Sequence, residues 1–130
     1  MTLNPKSMAL LAYAHPDLQK IVRRCAELST LDFVITETIR TLERQQKLVA
    51  AGASKTMRSR HLPNAEGEAC AVDLAAVVDG AVRWDWPLYP TLAKSMKAAA
   101  ADVGVDLEWG GDWIEFKDGP HFQLPWATYP

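Results

Sequence analysis

Residues Ala71 to Trp84 read AVDLAAVVDGAVRW, and this stretch decides the fold. Ala71 to Val78 is an apolar, valine-containing run of strand length. Asp79-Gly80 is a tight-turn signal, and Ala81-Val82-Arg83-Trp84 returns antiparallel to the first run. A hairpin here, with helical patterns in separate blocks on either side, predicts an α+β protein and argues against a doubly wound parallel sheet. One residue breaks the pattern. Asp73 lies inside Ala71-Val72-Asp73-Leu74-Ala75, where a carboxylate is costly to bury without a partner.

Working outward, Pro16 opens a helix whose apolar face is Leu18, Ile21, Val22, Cys25 and Leu28. Phe33-Val34-Ile35-Thr36 is rich in β-branched residues and reads as a short buried strand. A second helix is expected from about Thr41 to Ala51, closed by Gly52. A third should start near Pro87 or Pro90, turn Leu92, Met96, Ala99, Ala100 and Val103 inward, and end at Gly104. Two short strands, Val105–Trp109 and His121–Leu124, complete the chain through Gly110-Gly111 and Lys117-Asp118-Gly119. The expectation is one domain over residues 1–130: a small antiparallel sheet with about three helices around it. No internal repeat and no separate wall-binding domain is expected.

At 130 residues the chain is long enough to bury about two-thirds of its unfolded surface. An apolar fraction of 48% with 23% charged residues is that of an ordinary globular protein. The net charge of −2 gives no support for a nucleic-acid binder or an anionic-membrane binder. Basic residues do gather between Arg40 and Arg60, either as a solvated face or as help in holding an anionic substrate. Cys25 falls on the apolar helical stripe. Cys70 sits in the loop before Asp73, close enough to be weighed as an extra metal ligand but not favoured as one; the two cysteines make no CxxC pair. No apolar run approaches the roughly 20 residues needed to span a membrane. Met8-Ala9-Leu10-Leu11-Ala12 is too short for a signal peptide. A monomer made in a cytoplasm, without membrane insertion, is expected.

Three histidines are present. His15 precedes Pro16 and reads as a helix cap. His61 and His121 each lie in a turn-rich segment beside a carboxylate. If KDGPHFQL enters a strand, His121 and Gln123 point one way while Phe122 and Leu124 face the core. The same alternation sets Asp73 opposite Val72 and Leu74. Two strands of one sheet would then present Asp73 and His121 side by side, with His61 supplied by a loop. Two imidazoles and one carboxylate form a suitable three-ligand set for catalytic zinc. Two histidines merely satisfied as polar groups is the alternative. A Ser/His/Asp triad through Ser59 lacks a GxSxG elbow. Hydrolysis at zinc also needs a base, for which Asp118, three residues before His121, and Glu115 are the candidates.

Taken together, ITETIRTLERQQKLVAAGASKTMRSRH (residues 35–61), AVDLAAVVDGAVRWDW (71–86) and LEWGGDWIEFKDGPHFQL (107–124) resemble the zinc peptidases that include phage L-alanyl-D-glutamate endolysins. The vancomycin-resistance D,D-carboxypeptidases and D-Ala-D-Ala dipeptidases belong to the same superfamily. The resemblance covers residues 15–125 and rests on an SxH, a later AVD, and a DxPH preceded by WGGDW. It implies the fold of D-Ala-D-Ala peptidases and hedgehog domains. It implies one zinc ion per chain held by His61, Asp73 and His121, with Asp118 as general base. Arg40 matches an arginine that binds substrate and stabilises the oxyanion; Glu37 or Glu43 could instead pair with it. Ser59 matches the serine of the motif, orienting a ligand, and Trp109 and Trp113 are expected to wall the cleft, with aromatic core packing as the alternative.

The implied activity is cleavage of the L-Ala–D-Glu bond of peptidoglycan stem peptides by an endolysin that waits in the host cytoplasm and then acts on the cell wall. The alternatives are a D,D-carboxypeptidase or dipeptidase on the same scaffold, and a non-catalytic peptidoglycan-binding module. The chain departs from the family at one place. The usual SxHxxGxAxD spacing is shorter, whereas here Leu62 to Val72 separates His61 from Asp73. Residues around Pro63-Asn64-Ala65-Glu66-Gly67 must loop out for both ligands to reach one metal. Such an insertion costs only modest closure entropy.

Overall fold

The computed structural model describes residues 1–54 and 56–130; Lys55, part of the basic run, lies outside them. The elements in chain order are helices α1 (Pro5–Leu11) and α2 (Pro16–Leu28), strand β1 (Asp32–Glu37), helix α3 (Leu42–Ala50), strands β2 (Ala71–Val78) and β3 (Ala81–Arg83), helix α4 (Leu88–Val103), and strands β4 (Glu108–Trp109) and β5 (His121–Gln123). Every strand pairing is antiparallel. The α+β expectation is met.

β2 is the backbone of the sheet. β1 runs along one edge of it, from Asp73 to Val77, and the opposite edge is shared: β5 pairs with Ala71–Asp73 and β3 with Ala76–Val78. β4 then pairs with β5. The β2–β3 hairpin forms at Asp79 and Gly80, with φ of 53° and 78°. Two successive positive φ values match the twist of a two-residue hairpin loop, which is why Asp-Gly is the signal.

The core lies between the sheet and the helices. Leu18, Ile21, Val22 and Cys25 of α2 and Leu92, Met96 and Ala99 of α4 are fully buried, with Phe33, Val72, Leu74, Phe122 and Leu124 from the sheet side. Burial pushes the Cys25 thiol up to about 12, as befits a core residue rather than a reactive one. α4 ends at Gly104 in the left-handed conformation (φ 71°), which satisfies its last carbonyls. His15 caps α2 by accepting from the Asp17 amide at 3.0 Å, as its place before Pro16 suggested. Among the described residues no helix is long and apolar enough to cross a membrane.

Among the described residues there are four α-helices, against the three or so expected. α1 starts at Asn4, whose Oδ1 accepts from the Ser7 amide at 2.8 Å, with Pro5 in the first turn. Asn-Pro is a helix-start signal that the short apolar run after it obscured. α1 also supports the site. Ser7 Oγ accepts from the Ile35 amide of β1, and Thr38 Oγ1 donates to the Leu10 carbonyl at 2.7 Å.

Candidate metal centre

Strand register creates the heart of the site. Asp73 on β2 and His121 on β5 are direct partners across the sheet, and their side chains leave the same face. His61 arrives from the loop after α3. The amide of Arg40 donates to the His61 carbonyl at 2.8 Å, and His61 Nδ1 lies 2.6 Å from the Thr38 carbonyl. Ser59 Oγ accepts from the His61 amide at 3.1 Å, fixing the turn that carries the ring. The structure thus brings together His61, Asp73 and His121, each offering one ligand atom, all within 4.8 Å of one another.

The hydrogen bonds around these rings decide what the cluster can hold. A carbonyl accepts only, so His61 Nδ1 carries the proton toward Thr38 and Nε2 is left with a lone pair. That Nε2 faces Asp73 Oδ1 at 3.1 Å. On the other side, Gln123 Nε2 donates to Glu108 Oε2 at 2.7 Å, so Gln123 Oε1 is turned to His121 Nε2, also at 2.7 Å. His121 Nε2 must donate there, and its Nδ1 lone pair faces Asp73 Oδ1 at 3.2 Å. Two imidazole lone pairs and a carboxylate oxygen therefore point at one another. Such a set is stable only around a positive charge.

A divalent cation fits that requirement. Ligand bonds of about 2.1 Å in a tetrahedral site place neighbouring ligand atoms about 3.4 Å apart. The observed 3.1 and 3.2 Å separations from Asp73 Oδ1 are close to that spacing, and all three ligand atoms lie within 4.8 Å of one another. Each imidazole also has the outward hydrogen bond that orients metal-ligating histidines, to a carbonyl for His61 and to an amide oxygen for His121. The Thr38 carbonyl, Gln123 and Glu108 were not singled out from sequence as partners. For Gln123 the signal was present, since it lies two residues after His121 on the same strand face. For Glu108 and Thr38 there was none, because both are non-local.

Charge around the cluster is unevenly distributed. Burial acts to raise Asp73, but where the imidazoles of His61 and His121 are protonated their charge and hydrogen bonds outweigh it and hold the carboxyl well below the usual range. Asp118 moves the other way: burial pushes it up, and the Asp73 carboxylate adds to the push. The Asp118 loop is closed by two backbone bonds, from its amide to the Gly110 carbonyl at 3.0 Å and from the His121 amide to its own carbonyl at 3.2 Å. Glu115, the other candidate base, is exposed and lies off the cleft.

Arg40 is nearly buried. Its Nε and Nη2 make a two-point pair with Glu37 at 2.9 and 2.8 Å, and Nη1 donates to Gln45 Oε1 at 2.8 Å. Nη2 also lies 3.9 Å from Asp73 Oδ2. Of the two acidic partners weighed, Glu37 is the one used; Glu43 pairs instead with Lys47. A cleft of about 530 Å³ opens over the cluster, lined among others by Arg40, Ser59, Trp113, Phe116, Asp118 and Trp126.

The two tryptophans separate. Trp113 lines the cleft, with its ring centroid 5.2 Å from that of His121. Trp109 does not; it stacks on Phe122 in the core and donates from Nε1 to the Gly119 carbonyl at 2.8 Å. Its role is to hold the Asp118-Gly119 turn from beneath. Cys70 stands outside the ligand group, buried beside Asn64. The long loop is ordered by Asn64, whose Oδ1 accepts from the amides of Glu66 and Glu68, both at 2.9 Å, with Gly67 at φ 78° completing the turn. The five-residue bulge is thus folded back on itself, and His61 and Asp73 meet despite it.

A three-ligand donor set with an open side toward a cleft is the arrangement that catalytic metal sites use. A profile of the phage L-alanyl-D-glutamate peptidase family matches residues 1–124, and the chain belongs to that family. The L-alanyl-D-glutamate peptidase of Escherichia phage T5 is 33% identical over 123 residues, which cover 92% of this chain and 85% of that enzyme. The enzyme of the same name from Listeria phage A118 is 38% identical over 104 residues; the match takes in 80% of this chain but only 34% of that longer protein. In three dimensions, the crystal structure of the L-Ala D-Glu endopeptidase ChiX of Serratia marcescens superposes with a TM-score of 0.90. It is 39% identical, and the superposition covers all of this chain and 94% of that one.

Proposed function

We propose that this chain is a peptidoglycan-degrading zinc endopeptidase that hydrolyses the L-Ala–D-Glu bond of stem peptides. His61, Asp73 and His121 are the ligands of one zinc ion, Asp118 is the general base, and Arg40 and Ser59 support them. The observation that carries this reading is the convergence of two imidazole nitrogens on one Asp73 oxygen, at 3.1 and 3.2 Å, with all three ligand atoms within 4.8 Å of one another and Asp118 in the same cleft. Family membership narrows the substrate to the bond that the relatives are named for.

When bound, the cation supplies Lewis acidity, acidifying water and polarising a carbonyl. The remaining work belongs to the protein. Asp118, with an affinity for protons above that of an ordinary carboxylate, accepts the proton of the attacking water and passes it to the leaving amine nitrogen. The Arg40 guanidinium is fixed by Glu37 and Gln45, so it meets developing negative charge without reorganising. Ser59 holds the His61 backbone, and the Trp113 ring narrows the cleft beside His121.

Digestion of purified sacculi by the zinc-loaded protein, followed by mass spectrometry, tests the proposal. New amino-terminal D-Glu on released stem fragments is the expected product. Release of terminal D-Ala would assign a D,D-carboxypeptidase instead, and wall binding without any turnover would assign a non-catalytic module.

A further inference from the structure

Four arginines line the cleft, and they are satisfied in different ways. Arg40 and Arg44 share the carboxylate of Glu37. Arg60 is buried and donates only to neutral carbonyls, those of Leu124 at 3.1 Å and Tyr129 at 2.6 Å. Its guanidinium lies 3.9 Å from the centroid of the Trp126 ring. Arg58 is exposed, lies 4.6 Å from the same centroid, and has no carboxylate partner among the described residues. Two guanidinium groups therefore flank one indole with no anion between them. Like charges at this range repel, so the wall is poised to take up a negative group.

From this pair of guanidinium groups on Trp126, neither hydrogen-bonded to a carboxylate among the described residues, we propose that Arg58 recognises the free α-carboxylate of the D-glutamate on the leaving side of the scissile bond. The inference rests on the function proposed above. In a stem peptide the D-glutamate continues through its γ-carboxyl, which leaves its α-carboxylate charged and one carbon from the amide nitrogen that is cleaved. Arg58 is exposed, with its guanidinium over the Trp126 ring, and a guanidinium so placed can still offer its in-plane N–H edge, the edge that matches a carboxylate in two-point fashion. Position agrees with this role. Arg58 precedes His61 by three residues, a span of at most about 11 Å, and Ser59 between them already holds the His61 backbone.

The test compares kcat/KM of the zinc-loaded protein on two synthetic stem peptides that differ only at that group, α-carboxylate against α-carboxamide. The wild type should prefer the carboxylate by about tenfold or more, the effect expected of a charge-assisted hydrogen bond. The preference should shrink as ionic strength rises. Arg58→Gln should bring the ratio close to one, and Arg58→Lys should retain part of it. A wild-type ratio near one, or a wild-type ratio preserved in Arg58→Gln, overturns the inference while leaving the endopeptidase reading intact. Failure of the wild type to cut either peptide at L-Ala–D-Glu overturns both.

Discussion

Asp73 and His121 stand directly opposite each other across the β2–β5 ladder, with Asp73 Oδ1 3.2 Å from His121 Nδ1. Directly opposed residues in an antiparallel pair share a face and lie within side-chain reach. A slip of one residue would turn one of them to the other face of the sheet. The proposed metal centre is therefore written into the register of two short strands, and it depends on whatever fixes that register. Phe122, fully buried between His121 and Gln123, is one such anchor.

The three ligands should act as a unit toward metal. Replacing His61, Asp73 or His121 by alanine should each reduce bound zinc to well below one per chain, measured by elemental analysis of the purified protein. Chelation of the wild type should lower Tm, because an ion bound only by the folded chain stabilises it, by about 4 kcal/mol at a thousandfold excess over Kd. A Tm indifferent to chelator would contradict the site.

Asp118→Asn should retain zinc and fold but lose hydrolysis. The same residue sets the acid side of the pH profile. Its pKa is raised in the metal-free chain, first by burial and then by the Asp73 carboxylate. The base works only when ionised, so kcat/KM should fall with decreasing pH while still above the ordinary carboxylate range. Stability runs the opposite way in the metal-free protein. A carboxyl whose folded pKa exceeds its unfolded value binds the proton more tightly when folded, so its ionisation destabilises the fold as pH rises through that window. Metal-free Asp118→Asn should therefore melt no lower than metal-free wild type at pH 7, and the two should converge in acid.

Arg40→Ala should be costly in two separable ways. It leaves the half-buried Glu37 carboxylate without its two-point partner, a loss of about 3 kcal/mol visible in denaturant unfolding. It also removes the fixed cation beside Asp73, lowering kcat. Arg40→Lys keeps charge but not the fork geometry, and should recover only part of either.

Gly110→Ala offers a test of the loop beneath the base. A methyl group there would run into the Asp118 carbonyl and sit 3.0 Å from the Asp118 Cβ and 3.2 Å from the His121 Cβ. Displacing that turn should reduce kcat by about tenfold to a hundredfold, the scale of a small misplacement of a catalytic group, with zinc content measured alongside to show whether His121 moved too.

Much of this was legible in one dimension because it is local. The Asp79-Gly80 turn, the helix ending at Gly104 and the strand at Phe33 are each set by neighbouring residues, whose backbone preferences do not wait for the rest of the chain. Alternation along β2 and β5 put Asp73 and His121 each on a face away from Phe122 and Leu74. Recognition of the SxH, AVD and DGPH motifs named the same residues by likeness. α1 went unread although Asn4-Pro5 marks its start, because a seven-residue helix with a short apolar run carries little periodicity.

What the chain alone determined is thus the class of fold, the existence of a β2 hairpin, and which residues are chemically able to bind a cation. Tertiary structure alone decided that Thr38 and Gln123 set the tautomers of the two histidines, that Glu37 rather than Glu43 holds Arg40, and that Trp109 packs in the core while Trp113 faces the cleft. The physical reason is range. Turn and helix preferences act over a few residues of backbone, whereas the chain of hydrogen bonds linking Glu108, Gln123 and His121, or an Arg58 with no carboxylate partner among the described residues, depends on which segments the packed core brings within about 3 Å of one another.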